Sequence, residues 1–206
     1  PQDLIVIARL FTEGKYDVSR IISLCGSEVN KPRYYRMIAG TCVSNLISDN
    51  VKQSNNRVIC GDILSGTKIN RDGYLGFYDT QITVIKEGDQ EEFLGWILPG
   101  FDKFSLSKSY FSWLFPKRRY EIDTNMRGEE RAYVVTGQYE EVLPMNIFPQ
   151  QLIKAIMIED IDLMEKLGLY ELAPEDMALC EFVCTSKIEV QSIISYGLDL
   201  LRKENI

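Results

Sequence analysis

The side chains here that could do chemistry are five cysteines and a scatter of carboxylates, and histidine is absent. Cys180 and Cys184 stand four apart, a spacing that places both thiols on one face of a helix. Thiolates hold zinc and iron–sulfur clusters, but a closed site needs about four ligands. Cys25, Cys42 and Cys60 lie far off with no paired spacing, so the reading is of buried apolar thiols in a helix core. The acid pairs Asp160/Asp162 and Glu175/Asp176 sit at helix openings, where capping accounts for them. Gly61-Asp62-Ile63-Leu64-Ser65-Gly66-Thr67-Lys68 has the residue types of a phosphate loop, yet no Gly-Lys-Ser/Thr follows at the needed offset. No helix pattern opens there either, so the glycines read as turns. With the usual general base missing, the chain is expected to carry no catalytic, cofactor-binding or metal-binding residue of its own.

Composition bounds the rest. The 206 residues are 45% hydrophobic and 26% charged, ordinary for a soluble globular protein and enough for a substantial core. A net charge of −7 argues against nucleic acid and against adhesion to anionic lipid by charge alone. The odd, irregularly spaced cysteines suit a reducing compartment. No run approaches the roughly twenty apolar residues of a spanning helix, and the opening shows no signal-peptide pattern. A start at Pro1-Gln2-Asp3 suggests a piece of a longer protein.

The positioning elements are well punctuated. Leu4, Ile5, Ala8, Leu10 and Phe11 keep helical spacing up to Gly14. Residues 20–26 and 34–38 read as strands around a Lys31-Pro32-Arg33 turn, and Thr41 as the cap of a short helix over 42–47. Strands are expected at 57–60 and 80–86, with a hairpin partner at 92–97, and another at 132–135. Pro149, Pro174 and Ser186 with Glu189 open helical patterns, and four amphipathic helices with short joints predict a small bundle.

The surface candidates cluster between residues 101 and 119. Phe101 and Phe104 flank Asp102-Lys103 after Pro99-Gly100, a corner whose charges are expected outside. Phe111, Trp113 and Phe115 are followed by Lys117, Arg118 and Arg119. Half-buried rings beside cations suit a partner protein or a headgroup-level contact. In a chain of net −7 the basic run favours a subunit interface over lipid. The alternative is an edge buried in the chain's own core.

The stretch 168–187, with 95–105 and 142–146, resembles the A subunit of the Na+-translocating NADH:quinone reductase, a bacterial respiratory sodium pump. The resemblance runs over essentially the whole chain. It implies an α+β architecture: a helix at 1–16 ending a preceding Rossmann-like domain, and a soluble-ligand-binding β-grasp-like domain at 17–100. A β-containing connection at 101–142 and a C-terminal helical bundle at 143–206 would follow. Pro32-Arg33 departs from the Pro-Gly often found at the β-grasp turn. The resemblance further implies a peripheral place on the cytoplasmic face of the bacterial inner membrane, with the other subunits as partners, especially the membrane ones. NADH oxidation, FAD, FMN, riboflavin, iron–sulfur and ubiquinone would belong to the whole complex. Two roles stay open: packing and docking without chemistry, or a β-grasp domain that itself contacts quinone through aromatics 101, 104, 111, 113 and 115.

Overall fold

The computed structural model describes residues 2–52, 55–89, 95, 97–134 and 136–204, and the chain divides into two compact units. The first comprises residues 1–90 with 121–125. It opens with α1 (Gln2–Glu13) and continues through β1 (Ser19–Cys25), β2 (Arg33–Ile38), α2 (Ser44–Ile47), β3 (Asn56–Cys60), β4 (Thr67–Ile69) and β5 (Gln81–Lys86). The sheet order is β2-β1-β5-β3-β4, antiparallel except for the parallel β1–β5 pair.

Alternation explains which side of the sheet is dry. Ile22 and Leu24 of β1 are buried while Ile21 stays exposed, as period-2 side chains require. Central β5 buries Ile82 to Ile85, consistent with a strand covered on both faces. Val43, Leu46 and Ile47 close over Ile22, Val58 and Val84 to form the first core. Gly26 turns the chain after β1 at φ +120°, where a Cβ would lie 2.0 Å from the Val84 carbonyl oxygen. Only glycine fits so close a backbone approach.

Several expectations change here. Thr41 does not cap α2: its hydroxyl donates to the Ile38 carbonyl at 2.6 Å, and the helix starts at Ser44. The glycine stretch after β3 does form a turn, held by Asp62 accepting from the Leu64 and Ser65 amides. It then enters the short strand β4, which composition did not foretell. The hairpin partner expected at 92–97 lies mostly outside the described residues.

The second unit comprises residues 91–120 and 126–206. Its helices are α3 (Gln138–Val142), α4 (Pro149–Met157), α5 (Ile161–Lys166), α6 (Ala178–Val183) and α7 (Val190–Glu204), with 3-10 turns at Phe111–Leu114, Leu169–Glu171 and Pro174–Met177. Leu152, Ile153, Ile156, Met164, Leu169, Met177, Ile194 and Leu201 are almost wholly buried together. Each such side chain contributes about 1.5–3 kcal/mol by leaving water.

The helix ends follow the sequence in part. Pro149 occupies the first turn of α4, and the Asp160 carboxylate accepts from the Leu163 amide at 3.0 Å to cap α5. Asp176 accepts from the Ala173 amide at 2.9 Å. Ser186 does not cap α7; its hydroxyl donates to the Ala132 carbonyl. The α7 amide of Gln191 instead donates to Glu181 of the preceding helix at 2.8 Å. Residues 132–134 form no strand, because the described backbone there has no ladder partner. Among the described residues no helix is long and apolar enough to cross a membrane.

Candidate functional site

The segment 99–120 is held open by a few local contacts. Gly100 sits at φ +58°, where a Cβ would come within 2.3 Å of the Tyr110 ring, so the turn and the ring share one space. The Phe111 amide donates to the Pro99 carbonyl at 2.9 Å, closing the loop on itself. The 3-10 turn over Phe111–Leu114 then buries Ser112 and turns its neighbouring rings outward.

Two aromatic groups result. Phe101 lies 6.1 Å from Phe111 and 6.2 Å from Phe115, centroid to centroid. Phe104 packs edge-on to Tyr120 at 5.7 Å and tilted against Phe182 of α6 at 5.3 Å. These separations lie in the range where ring pairs attract. Phe101, Phe104, Phe111, Trp113 and Phe115 nonetheless keep about half of their surface in solvent, 45–52%. Lys117, Arg118 and Arg119 follow, all exposed. The structure thus brings Phe101, Phe111 and Phe115 together and sets Phe104 in a second group, while Trp113, Lys117, Arg118 and Arg119 are exposed on the same segment; this stretch is not an edge buried in the core.

One charge is not where the sequence put it. Lys103 is buried, at 4% exposure, while Asp102 beside it is exposed. The ammonium donates to the Gly95 carbonyl at 3.0 Å and lies 5.5 Å from the Tyr110 ring centre. A carbonyl dipole and a ring face offset part of the cost of desolvating a cation. Lys103, Tyr110, Tyr120 and Phe182 complete the site; Tyr110 and Tyr120 bound the aromatic and basic run and Lys103 stood between two phenylalanines, whereas Phe182 read only as part of a helix stripe.

The cysteine face is apolar. Cys180 and Cys184 are buried against Tyr139 and the helical core. Desolvation, with the nearby Glu140 and Cys184 adding to it, pushes the Cys180 thiol up to about 12. Burial likewise raises the Tyr133 and Tyr139 phenols far above their ordinary range. A ligating or nucleophilic sulfur needs the opposite shift. Among the described residues no three His, Cys, Asp or Glu side chains converge as a metal site.

Comparison with known proteins shows what the chain is similar to. Residues 21–71 match the family model described as the NQRA C-terminal domain. The chain is 43% identical over 204 residues to the Na(+)-translocating NADH-quinone reductase A subunit of Pasteurella multocida (strain Pm70), covering 98% of this chain and 46% of that protein. Nearly the whole chain is homologous to NQRA. The same protein from Rhodopirellula baltica is 43% identical over 205 residues, covering 98% and 45%. That from Shewanella frigidimarina is 38% identical over 204, covering 98% and 46%. The chain therefore spans a little under half the length of these NQRA relatives. The resemblance read from the residues holds.

Proposed function

We propose that this chain is the C-terminal part of NQRA, the peripheral A subunit of a Na+-translocating NADH:ubiquinone oxidoreductase, and that it packs and docks without catalysing. The similarity over 98% of its length to NQRA relatives carries this reading. In it, residues 17–100 are a β-grasp-like domain, residues 101–142 a connection and residues 143–206 a helical bundle. The mixed sheet with α2 over one face supports the first of these, and the buried stripes of α4 and α7 support the last.

The half-exposed rings of Phe101, Phe111, Trp113 and Phe115, leading into Lys117, Arg118 and Arg119, are the docking surface for the other subunits, on the cytoplasmic face of the bacterial inner membrane. Aromatic anchors rimmed by arginine are the residue types that dominate interface energetics. NADH oxidation and the FAD, FMN, riboflavin and iron–sulfur carriers belong to sister subunits. A photo-crosslinking residue replacing Phe111 or Trp113 in the assembled complex tests this. Crosslinks to a sister polypeptide are expected, whereas none from either position would overturn the docking role.

A second reading has one observation in its favour: Phe101 with Phe111 and Phe115 forms an open aromatic group onto which a quinone ring could stack. Titration with a soluble quinone, followed by Trp96 and Trp113 fluorescence, separates the two. Saturable quenching in the micromolar range supports direct contact, and a flat response leaves docking alone.

A further inference from the structure

We infer that a cleft in the first unit, between the β1–β2 connection and the turn after α2, binds a small singly charged oxyanion, a carboxylate or a phosphate diester. The cleft encloses about 380 Å3 and is lined by Lys31, Arg33, Tyr35, Asn45, Asp49 and Asn50, among others. That volume is at the lower end of small-molecule sites. None of these residues belongs to the aromatic segment, so the cleft stands independently of the docking role.

The wall is built from one buried amide. Asn50 is 7% exposed; its Oδ1 accepts from the Lys31 amide at 2.9 Å, and its Nδ2 donates to the Lys31 carbonyl at 2.8 Å. Both peptide groups of Lys31 are thereby clamped, and Nδ2 also reaches the Tyr35 hydroxyl at 3.3 Å. That hydroxyl accepts from Arg33 Nε at 2.8 Å, and the guanidinium lies over the Tyr35 ring at 4.7 Å. Asn50 thus clamps the Lys31 main chain directly and reaches Arg33 through Tyr35.

These contacts hold the Arg33 guanidinium, and the backbone from which the Lys31 side chain springs, at one opening. Among the described residues no carboxylate pairs with Lys31 or Arg33, in a protein with 30 acids against 23 bases. A guanidinium bound only through Nε keeps its terminal N–H pair for a bidentate oxyanion. Its preorganisation lowers the entropy lost on binding. Asp49 on the same wall opposes a multiply charged ligand by like-charge repulsion, and Asn45 offers an amide to a neutral polar group. One negative charge is therefore what the cleft accepts.

The test is an NMR titration of the full 206-residue chain with dimethyl phosphate and, separately, with propionate, both monoanions at neutral pH, against sodium chloride at equal ionic strength. Saturable shifts of the Arg33 Nε–H and the Asn50 side-chain amide are expected with at least one anion and not with chloride. Whichever anion acts identifies the ligand as phosphate diester or carboxylate. Arg33→Leu and Lys31→Ala, both at exposed positions, should each weaken the binding about tenfold, with Arg33→Lys between them and the native protein. Shifts that chloride reproduces, no saturation by either anion up to tens of millimolar, or undiminished binding in Arg33→Leu and Lys31→Ala would overturn the inference.

Discussion

The Arg57 guanidinium grips both oxygens of the Glu87 carboxylate, with Nε 3.1 Å from Oε2 and a terminal nitrogen on Oε1. Arg57 is on β3 and Glu87 follows β5, its ladder neighbour. The same carboxylate accepts from the Thr124 hydroxyl at 3.1 Å and from Lys68 of β4 at 3.4 Å. Thr124 also receives the Gly88 amide at 2.6 Å. One acid therefore ties β3, β4, β5 and the returning segment 121–125 into a single unit.

That arrangement has a pH signature. The Arg57 hydrogen bonds, with its charge and the Thr124 and Lys68 contacts, outweigh desolvation and hold Glu87 at about 2 against an ordinary 4.5. A depressed carboxylate contributes stability that is complete above its unfolded value and is lost as pH falls toward its folded one. Glu87→Gln should thus cost about 1 kcal/mol near neutrality, since the pair is partly solvated. Urea midpoints of the two proteins should stay apart above about pH 5 and converge as pH falls from about 4.5 to about 2. Parallel curves throughout would remove Glu87 from the acid response.

Gly26→Ala places a methyl on the Val84 carbonyl at a backbone angle that L-residues avoid. Neither atom can yield without breaking the β1–β5 ladder, where Leu24 pairs with Ile82. A loss of about 3 kcal/mol or more is expected, read as a lower thermal midpoint. The control Gly14→Ala has nothing within 4 Å of its new Cβ and suffers only from its positive φ, so its effect should be the smaller of the two.

How far the residues foretold this molecule depends on the kind of cue. The strands at β1, β2, β3 and β5 were legible because branched residues alternate between glycine and proline stops. α4, α5 and α7 were legible because apolar spacing recurs on one face, with Pro149 opening α4, an acidic first turn in α5 and basic residues in the last turn of α7. β4 was not, since Thr67–Ile69 is too short to show a period. The 132–134 stretch carries strand-forming residues, but a strand also needs a partner, which local sequence does not specify. The parallel β1–β5 pairing joins segments separated by a long connection, also beyond local patterning. At the candidate site the exposed rings and cations were legible by type. Buried Lys103 was not, because its placement depends on a carbonyl and a ring that only the fold brings to it.

The thiols should divide by burial. Cys60, Cys180 and Cys184 are buried, while Cys25 and Cys42 are partly open. Desolvation raises both Cys60 and Cys180, which starves them of thiolate near neutral pH. Reaction with an aromatic disulfide reagent at mildly alkaline pH should label at most two of the five thiols in the folded chain and all five in guanidinium. Rapid labelling of Cys180 in the folded protein would contradict its apolar setting.

Lys103 allows a sharper test of the aromatic segment. Its ammonium bonds Gly95 and faces Tyr110, whose ring in turn sits against Gly100. Lys103→Met keeps the apolar stem but removes the donor from the Gly95 carbonyl. Leaving such a group unpaired costs about 1–3 kcal/mol, so a loss of that size is expected in urea unfolding. Lys103→Arg retains charge and donors in a larger fork, and should recover part of the loss while straining the packing. If Met proves as stable as Lys, apolar packing rather than the ammonium bond holds this corner, with Phe101 placed by Phe111 and Phe115 and Phe104 by Tyr120 and Phe182.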